Sequence, residues 1–283
     1  MDPSTASDRT SRPTIAAVTP TLCRLFGVAP PALCDAPPLA TVLDAAAARL
    51  GSRPLDRCLL YAPDAIGEHL EAALPDLFPE VARHAPVRAR LRSVLPPKTP
   101  VCFASMFTGA LPEAHGIRQY ERPVLRADTL FDALARAGRR VAIAAVADSS
   151  VDRIFRERPL DYFSESYDAE VTARVHALLA EDAHDLIVAY HQEYDDSLHA
   201  GTPFSQAALA AARRHAAAFG EQAGAAAQRW DGRAWALLFA PDHGAHLDPA
   251  TGGGTHGLDI PEDMEVSHFW GLGRLDGSRV GVR

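Results

Sequence analysis

Short apolar runs alternate with longer helical stretches along most of this chain. The runs are rich in Val, Ile and Leu and predict strands at 57–61, 140–145, 185–190, 235–240 and 266–272. The stretches between them predict helices at 39–50, 65–73, 129–137, 170–181 and 203–229. Strands that alternate with helices in this way form a mostly parallel sheet covered by helices on both faces. We therefore expect an α/β fold, with one central mostly parallel sheet in an αβα sandwich.

The length of 283 residues fits one such domain. Residues 1–12 are rich in Ser, Thr, Asp and Arg and predict a disordered N-terminal tail. The single domain then covers residues 13–283.

Charge and hydropathy exclude several classes of function. The chain has 28 Lys and Arg against 36 Asp and Glu, with no polybasic tract, so we expect no nucleic-acid surface and no anionic-membrane surface. The N-terminus lacks the apolar segment of a secretory signal, and no apolar run is long enough to span a membrane, which predicts a cytoplasmic protein. The four cysteines form no C-x-x-C pair, which favours reduced thiols.

Acidic residues follow three of the predicted strands. Asp64 comes after CLLYAP, Asp195 after LIVAYHQEY and Asp242 after WALLFAP. A single Asp in this position is usually a helix cap. In open α/β sheets, however, ligands gather beyond the carboxyl ends of the strands. Three such positions, two of them with a nearby His, indicate a shared site.

Asp, His and Thr side chains at these strand ends suit divalent cations. Asp195 and His199 are four residues apart, so on one helical turn they point the same way. The glycine-rich segment TGGGTHG can bring His256 over the site. The candidate set is Asp64, Thr99, Asp195, His199, Asp242, His243 and His256.

Three carboxylates and three imidazoles are enough for two cations, and one hydroxyl is left as a nucleophile. Two cations about 4 Å apart can hold the attacking and leaving oxygens of a displacement at phosphorus. The ligand types suit zinc, with manganese or iron as alternatives. The set therefore predicts metal-assisted phosphoryl transfer.

Four motifs in order carry a family resemblance. They are P-P-K-T with T-G-x-x-P-x-x-H-G-I, then D-x-x-x-H, A-P-D-H-G and G-T-H-G-L-D, and the resemblance covers the chain from about residue 57 to 273. Together they resemble the alkaline phosphatase superfamily, in its type I phosphodiesterase/nucleotide pyrophosphatase branch. The resemblance implies an alkaline-phosphatase-like catalytic domain that takes a small phosphorylated substrate.

The resemblance also implies roles for the candidate residues. Asp195, His199 and His256 would hold one zinc ion. Asp64, Asp242, His243 and Thr99 would hold the other, and Thr99 would form a phosphothreonine. Lys98 would assist electrostatically, and Tyr120 stands where the branch usually has an Asn that binds a phosphoryl oxygen. The short spacing from His243 to His256 implies a minimal cap domain or none, with a site that is open or closed by another subunit of a homo-oligomer.

Several alternatives stay open at this point. Phosphate diesters are the expected substrates, but phosphonates, phosphate monoesters or a phosphomutase reaction would use the same metal frame. A non-catalytic binding protein for a phosphorylated metabolite is a different class, and a purely structural role for these Asp and His residues is a third.

Of the remaining histidines, His246 and His268 are weaker ligand candidates, His191 is a neighbour of the site, and His215 is expected to pack on its helix.

Overall fold

The computed structural model describes residues 12–273 and contains a central seven-stranded sheet in the order β2-β9-β6-β1-β5-β3-β4. Its strands are β1 Arg57–Pro63, β2 Val87–Arg92, β3 Val141–Val146, β4 Asp161–Glu165, β5 Leu186–His191, β6 Trp235–Phe239 and β9 Glu265–Gly273. Only β9 runs antiparallel to its neighbours, β2 and β6. The predicted mostly parallel sheet is therefore confirmed. A small hairpin lies outside it, made of β7 His246–Leu247 and β8 Gly254–Thr255.

Helices cover both faces of the sheet. On one face lie Val18–Phe26, Ala40–Leu50, Thr99–Thr108, Leu130–Arg136 and Ser150–Ile154; on the other lie Leu77–Ala82, Asp168–Glu181, Glu193–Ala200 and Gln206–Arg229. Single turns of helix occur at Ile15–Ala17, Glu68–Leu70, Pro112–His115 and Pro261–Met264. The αβα sandwich predicted from the sequence is confirmed.

The two cores follow from strand periodicity. Cys58 and Leu60 of β1 pack into one core, whereas Leu59 and Tyr61 pack into the other. Successive strand side chains point to opposite faces, so a strand with helices on both sides must be apolar at every position. This explains why the central strands are continuous Val, Ile, Leu and Ala runs.

The helix predicted at 65–73 is wrong. Only the turn Glu68–Leu70 is helical there, because Ala65 adopts a positive φ of 63° and Gly67 forms an antiparallel bridge with Val266. Tertiary contacts therefore override the local helical pattern directly after Asp64.

The predicted N-terminal tail, residues 1–12, lies outside the described residues except for Arg12. The guanidinium of Arg12 lies 3.3 Å from the Glu68 carboxylate.

The four cysteines are free thiols, and three of them are buried. Within residues 12–273 no helix has the length and apolarity needed to cross a bilayer. The cytoplasmic location stays a prediction.

Candidate metal centre

The seven candidate residues converge at one edge of the sheet. Strands β6, β1 and β5 are adjacent and parallel, so their carboxyl ends meet. Asp64 directly follows β1, and Asp242 lies three residues after β6. Asp195 lies on the helix Glu193–Ala200 that follows β5, and Thr99 is the first residue of the helix Thr99–Thr108.

The inner cluster consists of Asp64, Asp242 and His243, and none of these residues is more than 1% exposed. His243 Nε2 lies 3.4 Å from Asp64 Oδ1 and 3.3 Å from Asp242 Oδ2. Thr99 Oγ1 donates a hydrogen bond of 3.2 Å to the other Asp64 oxygen. The candidate nucleophile therefore contacts the inner cluster directly.

The outer cluster consists of Asp195, His199 and His256. Asp195 Oδ1 lies 3.4 Å from His199 Nε2 and 3.6 Å from His256 Nε2. The His256 ring stacks on the His243 ring with 4.0 Å between centroids, which joins the two clusters. The two clusters therefore lie side by side at the sheet edge.

All three imidazoles are oriented by main-chain carbonyls. Their Nδ1 atoms lie 2.7–3.1 Å from carbonyl oxygens: His199 from Gly254, His243 from Gly244 and His256 from Pro97. A carbonyl can only accept, so each ring donates its Nδ1 proton. A neutral ring then presents the Nε2 lone pair to the carboxylates, which is the tautomer of a metal ligand.

Buried acceptor atoms without a hydrogen-bond partner mark both clusters. They are Asp64 Oδ1, Asp195 Oδ1, Asp242 Oδ2 and His243 Nε2. Leaving such atoms unpaired costs about 1–3 kcal/mol each, and more where the atom is charged. A divalent cation bound within each triad would satisfy all four. The residues therefore fit two divalent cations.

Electrostatics support the same conclusion. Burial, reinforced by the Asp242 and Asp195 carboxylates, raises the pKa of Asp64 well above its usual range. Burial likewise raises the pKa of Asp242 and lowers the pKa of His243. Ionised carboxylates are thus unfavourable here without a neighbouring positive charge, and a cation supplies that charge.

Tyr190 is a site residue that sequence reasoning missed. It lies near the end of β5, and its hydroxyl donates to Asp64 Oδ2 at 2.5 Å. It occupies the same face of β5 as Leu186 and Val188. A lone polar side chain on an otherwise aliphatic strand face was the available signal.

A pocket of about 340 Å³ opens above the outer cluster and Thr99. Both predicted substrate-binding residues line it. Lys98 Nζ donates to the His256 carbonyl at 2.5 Å, and Tyr120 is 61% exposed. The wall also includes Gln192, which the sequence placed next to the site, and Arg122, Ser149 and Ser150, which the sequence did not single out. Ser149 and Ser150 follow the carboxyl end of β3, so the strand-end rule could have found them.

The four other histidines considered in the sequence analysis lie outside both clusters. His246 Nδ1 bonds to Asp263 Oδ1 at 2.7 Å, and His268 Nε2 bonds to the Pro241 carbonyl at 2.8 Å. His215 is buried against Tyr61, as expected of a packing residue, and His191 stacks on the same tyrosine ring. None of the four belongs to either triad.

Comparison with known proteins identifies the family. Residues 78–247, more than half of the chain, match the model of the type I phosphodiesterase/nucleotide pyrophosphatase family. The chain belongs to this family. The match contains Thr99 and the motifs of Asp195 and Asp242, whereas Asp64 and His256 lie just outside it. The resemblance inferred from the motifs is confirmed.

Solved structures show the same fold. Phosphonoacetate hydrolase from Sinorhizobium meliloti, in complex with phosphonoacetate, is 21% identical with a TM-score of 0.50, over 68% of this chain and 57% of that one. Murine ectonucleotide pyrophosphatase/phosphodiesterase 5, in complex with AMP, is 18% identical with a TM-score of 0.53, over 69% of this chain and 59% of that one. The chain thus spans less than two thirds of either protein. No curated protein matches the sequence significantly.

Proposed function

We propose that this protein is a two-metal hydrolase of phosphate diesters or related phosphoryl compounds. The observation that carries the proposal is the set of unpartnered acceptor atoms in two triads beside the Thr99 hydroxyl. In this proposal Asp195, His199 and His256 hold one cation. Asp64, Asp242, His243 and Thr99 hold the other, and zinc is the resident metal. Family membership supports the same chemistry.

Thr99 is the proposed nucleophile. The bound cations would lower the pKa of its hydroxyl and neutralise charge on the phosphoryl group. Because Asp64 Oδ2 accepts the Thr99 hydrogen bond, the Thr99 oxygen is held in a fixed orientation beside the pocket. The hydroxyl releases its proton to solvent, and its oxygen forms a bond to phosphorus while the bond to the leaving-group oxygen breaks. The leaving group takes a proton from water and departs as an alcohol, which leaves a phosphothreonine. Water then cleaves this ester and restores the hydroxyl.

The start of the helix Thr99–Thr108 assists this step. Thr99 is its first residue, so the partial positive charge of the helix N-terminus faces the group that Thr99 would attack. Tyr120, at the rim of the pocket, is proposed to donate a hydrogen bond to a phosphoryl oxygen. Lys98 would add positive charge beside His256.

Hydrolysis of a phosphonate or phosphate monoester is the second candidate. Lys98 and Arg122 both line the pocket, and a second anionic group on the substrate would suit these cations. The similar structure of a phosphonoacetate hydrolase with phosphonoacetate agrees with this alternative. The murine nucleotide pyrophosphatase/phosphodiesterase, whose structure contains AMP, agrees with a phosphate ester rather than a phosphonate.

Turnover of three substrates by metal-reloaded protein tests the proposal. The protein is stripped with a chelator and reloaded with zinc, manganese or iron. It is then assayed on bis(p-nitrophenyl) phosphate, p-nitrophenyl phosphate and phosphonoacetate. Faster zinc-dependent turnover of the diester that disappears in Thr99→Ala supports a phosphodiesterase. Faster turnover of the monoester or of phosphonoacetate supports the second candidate, a phosphonate or phosphate monoester hydrolase.

Binding without turnover would identify a metal-dependent binding protein instead. Isothermal titration of the zinc-loaded protein with AMP separates that outcome from a wrong substrate. A protein that takes up no divalent cation would overturn the proposed function altogether.

A further inference from the structure

A buried carboxylate behind the two clusters has no role in the chemistry proposed above. Asp263 is fully buried in the turn Pro261–Met264, directly before β9. Its carboxylate and its main-chain carbonyl both bond to segments that follow candidate metal ligands. It therefore connects the segment that follows His243 with the segment that follows His256.

The side chain of Asp263 holds the segment after His256. Its Oδ2 accepts the main-chain N–H groups of Gly257 at 2.7 Å and Leu258 at 2.9 Å. Its Oδ1 accepts the Nδ1 proton of His246 at 2.7 Å. Both carboxylate oxygens are thus engaged, and two of the three bonds hold the segment immediately after His256.

The main chain of Asp263 holds the segment after His243. Its carbonyl accepts the Gly244 N–H at 2.8 Å. Gly244 approaches so closely that an added Cβ would lie 2.0 Å from the Glu262 carbonyl oxygen, so a glycine is required there. One residue therefore binds the chain next to His243 of the inner cluster and next to His256 of the outer cluster.

We propose that Asp263 is a positioning residue that sets the spacing between the two metal sites. This inference rests on the proposed function, because it assumes that both clusters bind cations. His243 and His256 belong to different triads and stack at 4.0 Å. The β7–β8 hairpin joins the segments that carry them at His246 and Thr255. Asp263 joins the same segments again, directly beside the two rings, at Gly244 and Gly257.

Replacing the side chain acts on one cluster only. In Asp263→Ala the carbonyl still holds Gly244, while the Gly257 and Leu258 amides lose their acceptor. We expect the cation at the outer cluster to bind about 10–100-fold more weakly, as is usual when a supporting partner of a ligand is removed. The inner cation should keep its affinity. Asp263→Asn, whose oxygen can still accept both amides, should recover most of the loss.

Metal titration and manganese spectroscopy on the full chain test this inference. Zinc affinity is measured stepwise against a chelator, and the protein loaded with manganese is examined by electron paramagnetic resonance for coupling between the two ions. Asp56→Ala is the matched control, because its carboxylate also accepts a main-chain N–H, that of Ala234, but at the opposite edge of the sheet. It should retain two coupled ions even if its stability falls.

The outcomes are distinct. The inference is supported if Asp263→Ala loses the coupling between the two manganese ions and binds one of the two zinc ions more weakly. The zinc ion that still binds tightly should then have the same affinity as the one that remains in His256→Ala. Two coupled ions of unchanged affinity in Asp263→Ala overturn it and leave the proposed function standing, whereas a wild-type protein that binds no cation overturns both. If Asp263→Ala does not fold, His246→Phe removes only the donor to Oδ1. It should weaken the same cation by a smaller factor, and an unchanged affinity overturns the inference.

Discussion

The inner and outer clusters contain the same ligand types in different surroundings. The inner carboxylates lie just after two adjacent central strands, and the whole cluster is buried. The outer cluster is built on a helix and on the loop after β8, and the His199 side chain is 41% exposed. A site held by the sheet is organised before its cation arrives, whereas one on a helix and a loop can adapt. We therefore expect the inner cation to bind more tightly.

Removing the hydroxyl between the clusters should have the largest effect. In Thr99→Ala both triads remain, but turnover should fall by about 10³-fold or more because no nucleophile is left. Thr108→Ala, at the other end of the same helix, removes a hydroxyl that donates to the Ala104 carbonyl and accepts from the Ala110 N–H, away from both clusters, and should keep full turnover. The measurement is steady-state kinetics together with metal content. A Thr99→Ala protein with two metals and near-normal turnover would rule out the proposed chemistry.

Deleting one imidazole from each cluster compares the clusters directly. His243→Ala leaves the inner cation with two fully buried carboxylates and no imidazole. We expect inner zinc affinity to fall about 10³-fold, corresponding to about 4 kcal/mol. His199→Ala opens a position that water already reaches, and the outer affinity should fall about 100-fold, at least as much as when only a supporting partner is lost. Competition titration measures both. Equal losses would show that burial does not distinguish the two sites.

Tyr190→Phe affects the inner cluster alone. It removes the hydrogen bond to Asp64 Oδ2, of a kind that contributes about 1.5–3 kcal/mol when one partner is charged, so the inner cation should bind about tenfold more weakly. Tyr61→Phe, on the neighbouring strand but facing His215, is the control and should not change zinc affinity. Weakening of the outer cation by Tyr190→Phe would contradict the assignment.

The greater burial of the inner cluster should make the stability of the metal-free protein depend on pH. Burial raises the pKa of Asp242 in the folded protein. The folded state therefore holds its proton to a higher pH than the unfolded chain does, so the free energy of unfolding decreases as pH rises from the unfolded pKa through the folded one. Asp242→Asn should therefore melt about 4 °C higher than the wild type at pH 8, with chelator present, and no higher at pH 4. The Asp195 side chain is 16% exposed, so Asp195→Asn replaces a less buried carboxylate and should raise the melting temperature less. Thermal scans at both pH values decide between these expectations.

Tyr120→Phe should have the smallest effect. Its hydroxyl is at an exposed rim, so loss of one hydrogen bond should reduce turnover only about threefold. Steady-state rates on the preferred substrate measure the change. A rate identical to the wild type would remove Tyr120 from the mechanism.

The sequence predicts the inner part of the molecule better than its periphery. Central strands such as β1 and β5 are continuous apolar runs, and the residues at their carboxyl ends must converge whatever the loops do. That is why Asp64, Asp195 and Asp242 could be found by position alone. The grouping into two triads needed the family resemblance, because spacing does not show which loop folds over which strand.

Elements that depend on tertiary contacts were harder to predict. Strand β2, VRARLR, carries three arginines and forms because it pairs with β9 at the edge of the sheet. The helix expected at 65–73 is prevented by the turn at Ala65 and the bridge from Gly67. Tyr190 bonds to Asp64 and Asp263 bonds to Gly244, and these contacts between distant positions are not visible in one sequence without its fold.

The three candidate imidazole ligands are oriented by peptide carbonyls, those of Pro97, Gly244 and Gly254. A carbonyl oxygen belongs to every residue type, so a substitution at any of these three positions alters its geometry but cannot delete it. Asp64 differs, because its Oδ2 is held by two side chains, those of Tyr190 and Thr99. Random mutagenesis should therefore reveal Tyr190 through its lost hydroxyl, whereas changes at Gly244 or Gly254 act through the clash of an added Cβ and not through loss of the orienting carbonyl.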